Sequence, residues 1–305
     1  MKILVTGATG LVGKELVSLL LQNGISVHYL TTSKRKIEGE PHYQGFYWNP
    51  ETGVIDENCL LGVDAIVHLA GASIAKRWTK ANKQEILESR IFTSNLLYKA
   101  LKDNPNTVKQ IISASAIGIY PSSYETIYTE EETKVSASFL GTVTEKWEES
   151  VDAFHRLNIK VCKLRIGIVL SENGGALTQM AKPIKSGIGA PFGNGKQMQS
   201  WIHIHDLAAI FLFAIQNQWN GVFNAVAPHP VTNEELTKSI AKTIDKDIYL
   251  PGIPKFVMQA ILGEMHILLY ESQQVSSQKV LDNGFQFKYK ILEKALDDLL
   301  KKEAL

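Results

Sequence analysis

Three glycines, Gly7, Gly10 and Gly13, follow at a spacing of three directly after the apolar run Lys2-Ile3-Leu4-Val5-Thr6. Glycine supplies the positive φ of a tight turn at Gly7, a backbone without Cβ that lets a phosphate approach at Gly10, and close packing of helix on strand at Gly13. Leu16, Leu19 and Leu20 then give the apolar stripe of a helix whose first N–H groups and positive dipole end face the turn. Strand, glycine turn and helix in that order make a cradle for the pyrophosphate of a dinucleotide, built from Gly7, Thr9, Gly10, Leu11, Val12 and Gly13. The competing reading is a glycine turn without a ligand.

In such a cradle the tip of the second strand reads the adenosine ribose. An acid there binds the 2′-hydroxyl, whereas cations and hydroxyls suit a 2′-phosphate. Here the tip is Thr31-Thr32-Ser33-Lys34-Arg35-Lys36, with no acid before Glu38. Thr32, Ser33, Lys34 and Arg35 are therefore expected to favour NADP (NADPH) over NAD; the bland alternative is a solvated basic loop. Val67-His68-Leu69-Ala70-Gly71-Ala72 ends a further strand in small residues, so Leu69, Ala70 and Gly71 are expected against the cofactor. A plain strand-to-loop turn reads the same way.

Strand-like runs at Lys2–Thr6, Ser26–Thr31, Gly45–Trp48, Ala65–Leu69, Lys109–Ser115 and Lys160–Arg165 alternate with helical patterns, the long ones at Thr79–Lys102 and Phe139–Leu157. That alternation implies βαβ crossovers and a Rossmann-type, doubly wound parallel sheet of the α/β class. From Gly174 the chain is richer in Gly and Pro, and Gly187–Gly195 reads as an extended loop where a functional use is favoured. Beyond Leu250 the strand signal ends, and Phe256–Leu269 and Ile291–Lys302 look helical. The expected division is an NADP-binding domain over 1–230, with substrate-side loops from about 174–204, and a smaller helical C-terminal domain over 231–305.

The chain has 305 residues, 45% hydrophobic, with 32 Lys and Arg against 31 Asp and Glu. It has no cationic excess to neutralise a nucleic-acid backbone, and no apolar stretch of bilayer-spanning length. Cys59 and Cys162 lie far apart and read as buried reduced thiols of a cytoplasmic protein, with neither a disulfide nor a metal site expected. The expected partner is a small-molecule substrate, bound by a monomer or homodimer.

Thr6-Gly7-Ala8-Thr9-Gly10-Leu11-Val12-Gly13, His68-Leu69-Ala70-Gly71, Ser113-Ala114-Ser115-Ala116, Leu164-Arg165 and Trp201-Ile202-His203-Ile204-His205-Asp206 resemble the extended short-chain dehydrogenase/reductase superfamily of sugar-nucleotide epimerases and dehydratases. Ala75-Lys76-Arg77-Trp78-Thr79, Ser89-Arg90, Gly174-Gly175-Ala176-Leu177, Gly193-Asn194-Gly195-Lys196-Gln197, Leu262-Gly263-Glu264-Met265 and Gly284-Phe285-Gln286-Phe287 are closer to one atypical branch. That branch is the epimerase-like family with a C-terminal domain of unknown function, once labelled a cell-division inhibitor. The resemblance implies an NADP-dependent oxidoreductase or epimerase with Arg90 and Ser113 beside the cofactor.

Active members of the superfamily use a Tyr as proton donor, a Lys four positions on that lowers the phenol's pKa, and a Ser or Thr that orients substrate. The helix expected to carry the pair reads Phe139-Leu140-Gly141-Thr142-Val143-Thr144-Glu145-Lys146-Trp147-Glu148. It places Leu140 where the Tyr belongs and Thr144 where the Lys belongs, so the standard dyad is absent. Ser115, ending the fifth strand, is the candidate orienting serine. Tyr120 is the candidate phenol, its alternative use being a packed loop aromatic. Arg77 and Arg90 are placed to pair with a phosphate or carboxylate of substrate or cofactor, against the competing reading of surface salt bridges. Trp201, next to the Gly-rich loop, and His203 are the further substrate candidates, and Asp206 is expected to cap the helix after them. Two readings remain: an enzyme with a non-standard proton donor, and a catalytically silent NADPH-binding regulatory or interaction protein.

Overall fold

A computed structural model describes residues 1–301; the last residue of the helix expected over Ile291–Lys302, and the end of the 231–305 segment, lie outside the described residues. The principal strands are β1 (Lys2–Thr6), β2 (Ser26–Thr31), β3 (Tyr43–Asn49), β4 (Ala65–His68), β5 (Gln110–Ala116), β6 (Lys160–Ile166) and β7 (Gly221–Ala225). They lie in the order β7-β6-β5-β4-β1-β2-β3, and the short strands Gly39–Glu40 and Val54–Ile55 pair with β3 to complete a nine-stranded sheet. β1 runs parallel to β2 and β4, β2 to β3, and β4 to β5. Ile3, Leu4, Val5, Ile66, Val67, Ile111 and Ile112 are fully buried, as the continuous aliphatic runs of a sheet covered on both faces require. The chain winds outward from β1 to β3 and restarts at β4. Between β1 and β4 the winding reverses, and a sheet of this kind takes its ligand beyond the C-terminal strand ends at that point.

Three helices matter to that edge: α1 (Leu11–Gln22), α2 (Lys80–Asp103) and α3 (Phe139–Asp152), the last running on into a 3₁₀ turn over Ala153–Leu157. α1 buries Gly13, Leu16, Val17 and Leu20 along one stripe. α2 starts at Thr79, whose hydroxyl accepts the Asn82 N–H at 3.2 Å, and it stops at Asn104 ahead of Pro105.

The residues group into two compact units, each assembled from three separated stretches. One takes Met1–Ala116, Phe139–Arg165 and Ala208–Phe223; the other takes Ile117–Ser138, Ile166–Leu207 and the chain from Asn224 onward. The second unit holds three strand pairs: Ile168–Leu170 with Trp201–His203, Met198–Gln199 with Val231–Thr232, and Gln274–Val275 with Ile127–Tyr128. The last lies beyond Leu250, where no strand was expected, because two residues are too short to show a period. Gly187–Gly195 carries no helix or strand of its own but is pinned. Gly193 N–H donates to Ile253 O and Ile253 N–H to Pro191 O, each at 2.8 Å. Asp206 is not a helix cap: the helix Ile204–Gln216 begins two residues earlier, and the Asp206 carboxylate accepts the backbone N–H groups of Lys288 and Tyr289 at 2.9 Å each.

Candidate dinucleotide site

The glycine turn has the geometry of a phosphate cradle. Gly7 adopts φ +70°, and a Cβ there would stand 3.0 Å from the Leu69 carbonyl carbon. A Cβ on Gly13 would lie 2.1 Å from Gly7 O, so α1 can sit this close to the turn only with glycine at that position. Gly10 is the N-cap of α1, no side chain caps the helix, and Thr9 and Gly10 are exposed with Leu11 and Val12 half-buried behind them. Uncapped first-turn N–H groups at the positive end of a helix dipole are what an anionic pyrophosphate needs, and the residues present fit that group.

Below the turn, Thr6 ties β1 to β4. Its Oγ1 accepts the N–H groups of Leu69 and Ala70 at 3.0 and 3.1 Å, and it lies 2.9 Å from His68 Nδ1. With both lone pairs filled, the Thr6 hydroxyl donates to Nδ1, which fixes His68 as the Nε2–H tautomer. That N–H reaches Ser94 Oγ at 3.2 Å, and the Ser94 hydroxyl donates to Arg90 O at 2.9 Å. Complete burial, helped by the nearby Arg90 charge, drives the His68 pKa down to about 3, so the ring is neutral. This network holds Leu69, Ala70 and Gly71 against the cradle. Sequence reading placed Thr6 and His68 in motifs but missed Ser94 and the bonds among the three, because only their partners distinguish them from ordinary polar residues.

The second-strand tip folds into a 3₁₀ turn over Lys34–Lys36 with Ser33 at its N-cap. Tyr29 anchors the turn by donating its hydroxyl to Lys36 O at 2.6 Å. Thr32, Lys34 and Arg35 are exposed, and Lys34 Nζ lies 5.1 Å over the Tyr47 ring. Among the described residues no carboxylate pairs with Arg90; it donates to Ala72 O and Ile86 O and lies over the Trp147 ring. Ser113 is buried and donates to Ala114 O.

At the positions of the superfamily's dyad, α3 presents Leu140 and Thr144 in place of the phenol and ammonium, and Thr144 is itself buried with its hydroxyl donated to Leu140 O at 2.8 Å. Ser115 donates to Glu148 Oε1 at 2.5 Å. Arg165, near the end of β6, forks onto the same carboxylate through Nε at 2.8 Å and Nη2 at 3.0 Å. Lys163 stands 3.6 Å away and is held by Asp152 at 2.7 Å. Burial opposes ionisation of Glu148, but the hydrogen bonds and charge of Arg165, with Ser115 and Lys163 behind it, overcome that penalty and keep the carboxyl below its usual range.

In the second unit, Tyr120 is fully buried, stacked on Tyr128 at 5.1 Å, and donates its hydroxyl to Asn224 Oδ1 at 2.7 Å. In this structure it is a packed aromatic rather than an open pocket phenol. Trp201 is fully buried with its indole N–H on His229 O at 2.9 Å, and His203 is fully buried and stacked on Tyr289 at 3.7 Å. Both expected substrate residues are thus core positions, because the strand Trp201–His203 is covered on both faces. Arg77 is exposed. Among the described residues no His, Cys, Asp and Glu cluster could hold a metal, and no helix is long and apolar enough to cross a membrane.

The model of the NAD dependent epimerase/dehydratase family matches residues 3–225, and a domain of unknown function, DUF1731, matches 253–299. The chain belongs to the NAD dependent epimerase/dehydratase family. Among curated members it is 34% identical over 301 residues to the epimerase family protein YfhF of Bacillus subtilis, covering 98% of both chains. Among solved structures it is similar to the human epimerase family protein SDR39U1 with NADPH, at TM-score 0.86 and 31% identity, covering 98% of this chain and 99% of that one. It also resembles a nucleoside-diphosphate sugar epimerase of Corynebacterium glutamicum, at TM-score 0.78 and 29% identity, covering 98% of this chain but 58% of that chain. The extended short-chain dehydrogenase/reductase resemblance and the doubly wound fold are therefore established.

Proposed function

We propose that this protein binds NADP(H) in preference to NAD(H) and acts as an oxidoreductase or epimerase on a small hydroxyl- or carbonyl-bearing substrate of sugar-nucleotide type. The carrying observation is the pairing of a backbone-only phosphate cradle with an exposed turn of Ser33, Lys34, Arg35 and Lys36 that holds no acid. The human relative with NADPH supports the choice of cofactor, and the Corynebacterium relative supports the substrate class. When bound, the nicotinamide supplies or takes a hydride. The chain's own part is to bind and orient: the cradle takes the pyrophosphate, the basic turn the 2′-phosphate, and the Thr6–His68 network keeps the β4 end in place. The reading keeps the thiols of Cys59 and Cys162 buried and reduced in the cytoplasm, and it needs no nucleic-acid or membrane partner.

One observation favours a second reading. The hydroxyls of Ser115 and Tyr120 are both committed, to Glu148 and Asn224, while Leu140 and Thr144 replace the dyad. A protein of that kind holds NADPH without turning over, and its occupancy reports redox state to a partner. Titration of purified protein with NADPH and NADH, followed by incubation of C4-deuterated NADPH with pooled carbonyl and sugar-nucleotide compounds, separates the two. Stereospecific loss of label, or an epimerised product from the pool with oxidised cofactor, supports the enzyme; tight binding with full label retention and no new product supports the silent binder; no binding refutes both.

A further inference from the structure

Trp147 and Arg90 share an unbalanced site. The Trp147 side chain is 7% exposed, and its indole N–H is buried without a hydrogen-bond partner. The Arg90 guanidinium carbon lies 5.0 Å from the centroid of that indole. Arg90 donates through Nη1 only to neutral carbonyls, Ile86 O at 2.7 Å and Ala72 O at 3.2 Å, and no carboxylate among the described residues pairs with it. Burial pulls its pKa down to about 10, which leaves it fully charged at neutral pH. The contrast with Arg165, forked onto Glu148, is direct. An indole N–H without an acceptor beside a partly buried cation without an anion costs free energy until an anionic oxygen arrives.

The surroundings say where that oxygen comes from. A Cβ on Gly71 would meet Arg90 Cγ and Cζ at 3.2 Å, and one on Gly7 would meet Leu69 C at 3.0 Å, so the pair continues outward from the phosphate cradle through the end of β4. Arg90 sits on α2, after β4, and Trp147 on α3, after β5. These belong to the second mononucleotide half of a doubly wound sheet, which takes the nicotinamide half of a dinucleotide. We propose, building on the NADP(H) reading, that Arg90 and Trp147 together hold an anionic oxygen of the nicotinamide-side phosphate, with Trp147 as a cofactor-binding residue through its indole N–H. Arg90 supplies charge and Trp147 a directed donor, and the face-on stack holds the guanidinium in place before the ligand binds.

The test compares NADPH with adenosine 2′,5′-bisphosphate, which carries the 2′-phosphate but lacks the nicotinamide half. Calorimetric titration of the full chain, its Trp147→Phe variant and its Arg90→Met variant is expected to show NADPH affinity down about tenfold in the first and more than tenfold in the second. Bisphosphate affinity should stay within about twofold in both. Circular dichroism checks the fold, and Arg90→Met decides the matter if Trp147→Phe fails to fold. Unchanged NADPH affinity in both variants overturns the proposal while leaving the NADP(H) reading intact. Equal loss of both ligands also overturns it, by tracing the effect to the cradle as a whole. A parent protein that binds neither ligand overturns the NADP(H) reading and this inference with it.

Discussion

Ser115 Oγ and Glu148 Oε1 lie 2.5 Å apart, and the hydroxyl is the donor. The bond joins β5 to α3 beneath the place where a dehydrogenase of this fold keeps its phenol. Because the proton of Ser115 points to a carboxylate that Arg165 keeps ionised, the serine has only lone pairs left to offer a neighbour. An oxygen of that kind orients a hydroxyl or N–H donor and does not polarise a carbonyl. Glu148 with Arg165 also forms a buried ion pair whose members depend on each other.

Glu148→Gln removes the charge that answers Arg165 in the interior, and a loss of about 3 to 5 kcal/mol is expected. The parent carries a matching pH signature. A carboxyl held below its unfolded pKa stabilises the fold above about 4.3, and that stability drains as pH falls toward the folded value. Urea denaturation at pH 7 and pH 3.5 should show a gap between parent and variant that narrows in acid. A constant gap contradicts the ionised pair.

Two neutral histidines act in a higher window. The folded pKa is about 3 for His68 and about 4 for His203, both lowered chiefly by burial, against about 6.5 in the unfolded chain. Protons therefore favour the unfolded state below pH 6.5, and stability falls from there toward pH 4, at up to about 1.4 kcal/mol per pH unit for each ring. Calorimetry between pH 7 and 5 should record a declining Tm. A flat Tm across that range removes the two rings as acid-sensitive groups.

Lys34→Ala with Arg35→Ala tests cofactor choice. A charge-assisted contact to a 2′-phosphate is worth about 1.5 to 3 kcal/mol, so the parent should prefer NADPH to NADH at least tenfold and the double variant much less. Both side chains are exposed, so Tm should hold steady. Equal affinities in the parent would assign the basic turn to solvent.

Gly10 and Gly13 should respond differently. A Cβ at Gly10 meets only Gly7 O at 3.2 Å, whereas one at Gly13 meets Gly7 O at 2.1 Å and Ala8 at 2.8 Å. Gly10→Val should keep a folded apo protein and lose the NADPH-induced rise in Tm, while Gly13→Ala should lower the apo Tm as well. A Gly10→Val protein still stabilised by NADPH would put the cradle elsewhere.

Tyr120→Phe leaves Asn224 Oδ1 buried without its 2.7 Å donor, at a cost of about 1 to 3 kcal/mol. Thermal denaturation measures that loss. If a substrate is in hand, turnover as fast as the parent's removes this phenol from the chemistry.

The cradle was legible because its signal is local: an apolar run, three spaced glycines and an amphipathic helix occupy consecutive residues, and β1, β2 and α1 fall where those patterns lie. The absence of the dyad was equally local, since Leu140 and Thr144 sit one turn apart on a single helix. Tyr120, Trp201 and His203 were different. Residue type announces a phenol or an imidazole, but the Tyr120 partner is 104 positions away and the covering of Trp201 comes from other stretches, so burial left no mark in the local pattern. Trp147 left a trace that type alone could not decode. With Val143 and Val151 it fills one buried side of α3, where any large apolar residue would fit and only the unanswered N–H sets it apart.

The threading of the two units imposes an order on synthesis, since ribosomes deliver the chain from its N-terminus and compact pieces fold as they emerge. Once Ala225 has cleared the ribosome, every strand of the nine-stranded sheet is available. The other unit is then still waiting. The Ser200 hydroxyl needs Gln273 O and Val275 N–H, and the Asp206 carboxylate needs the N–H groups of Lys288 and Tyr289. Throughout that interval the nascent protein carries a finished sheet beside polar anchors with nothing to hold, and it is in this span of translation that a chaperone has most to shield.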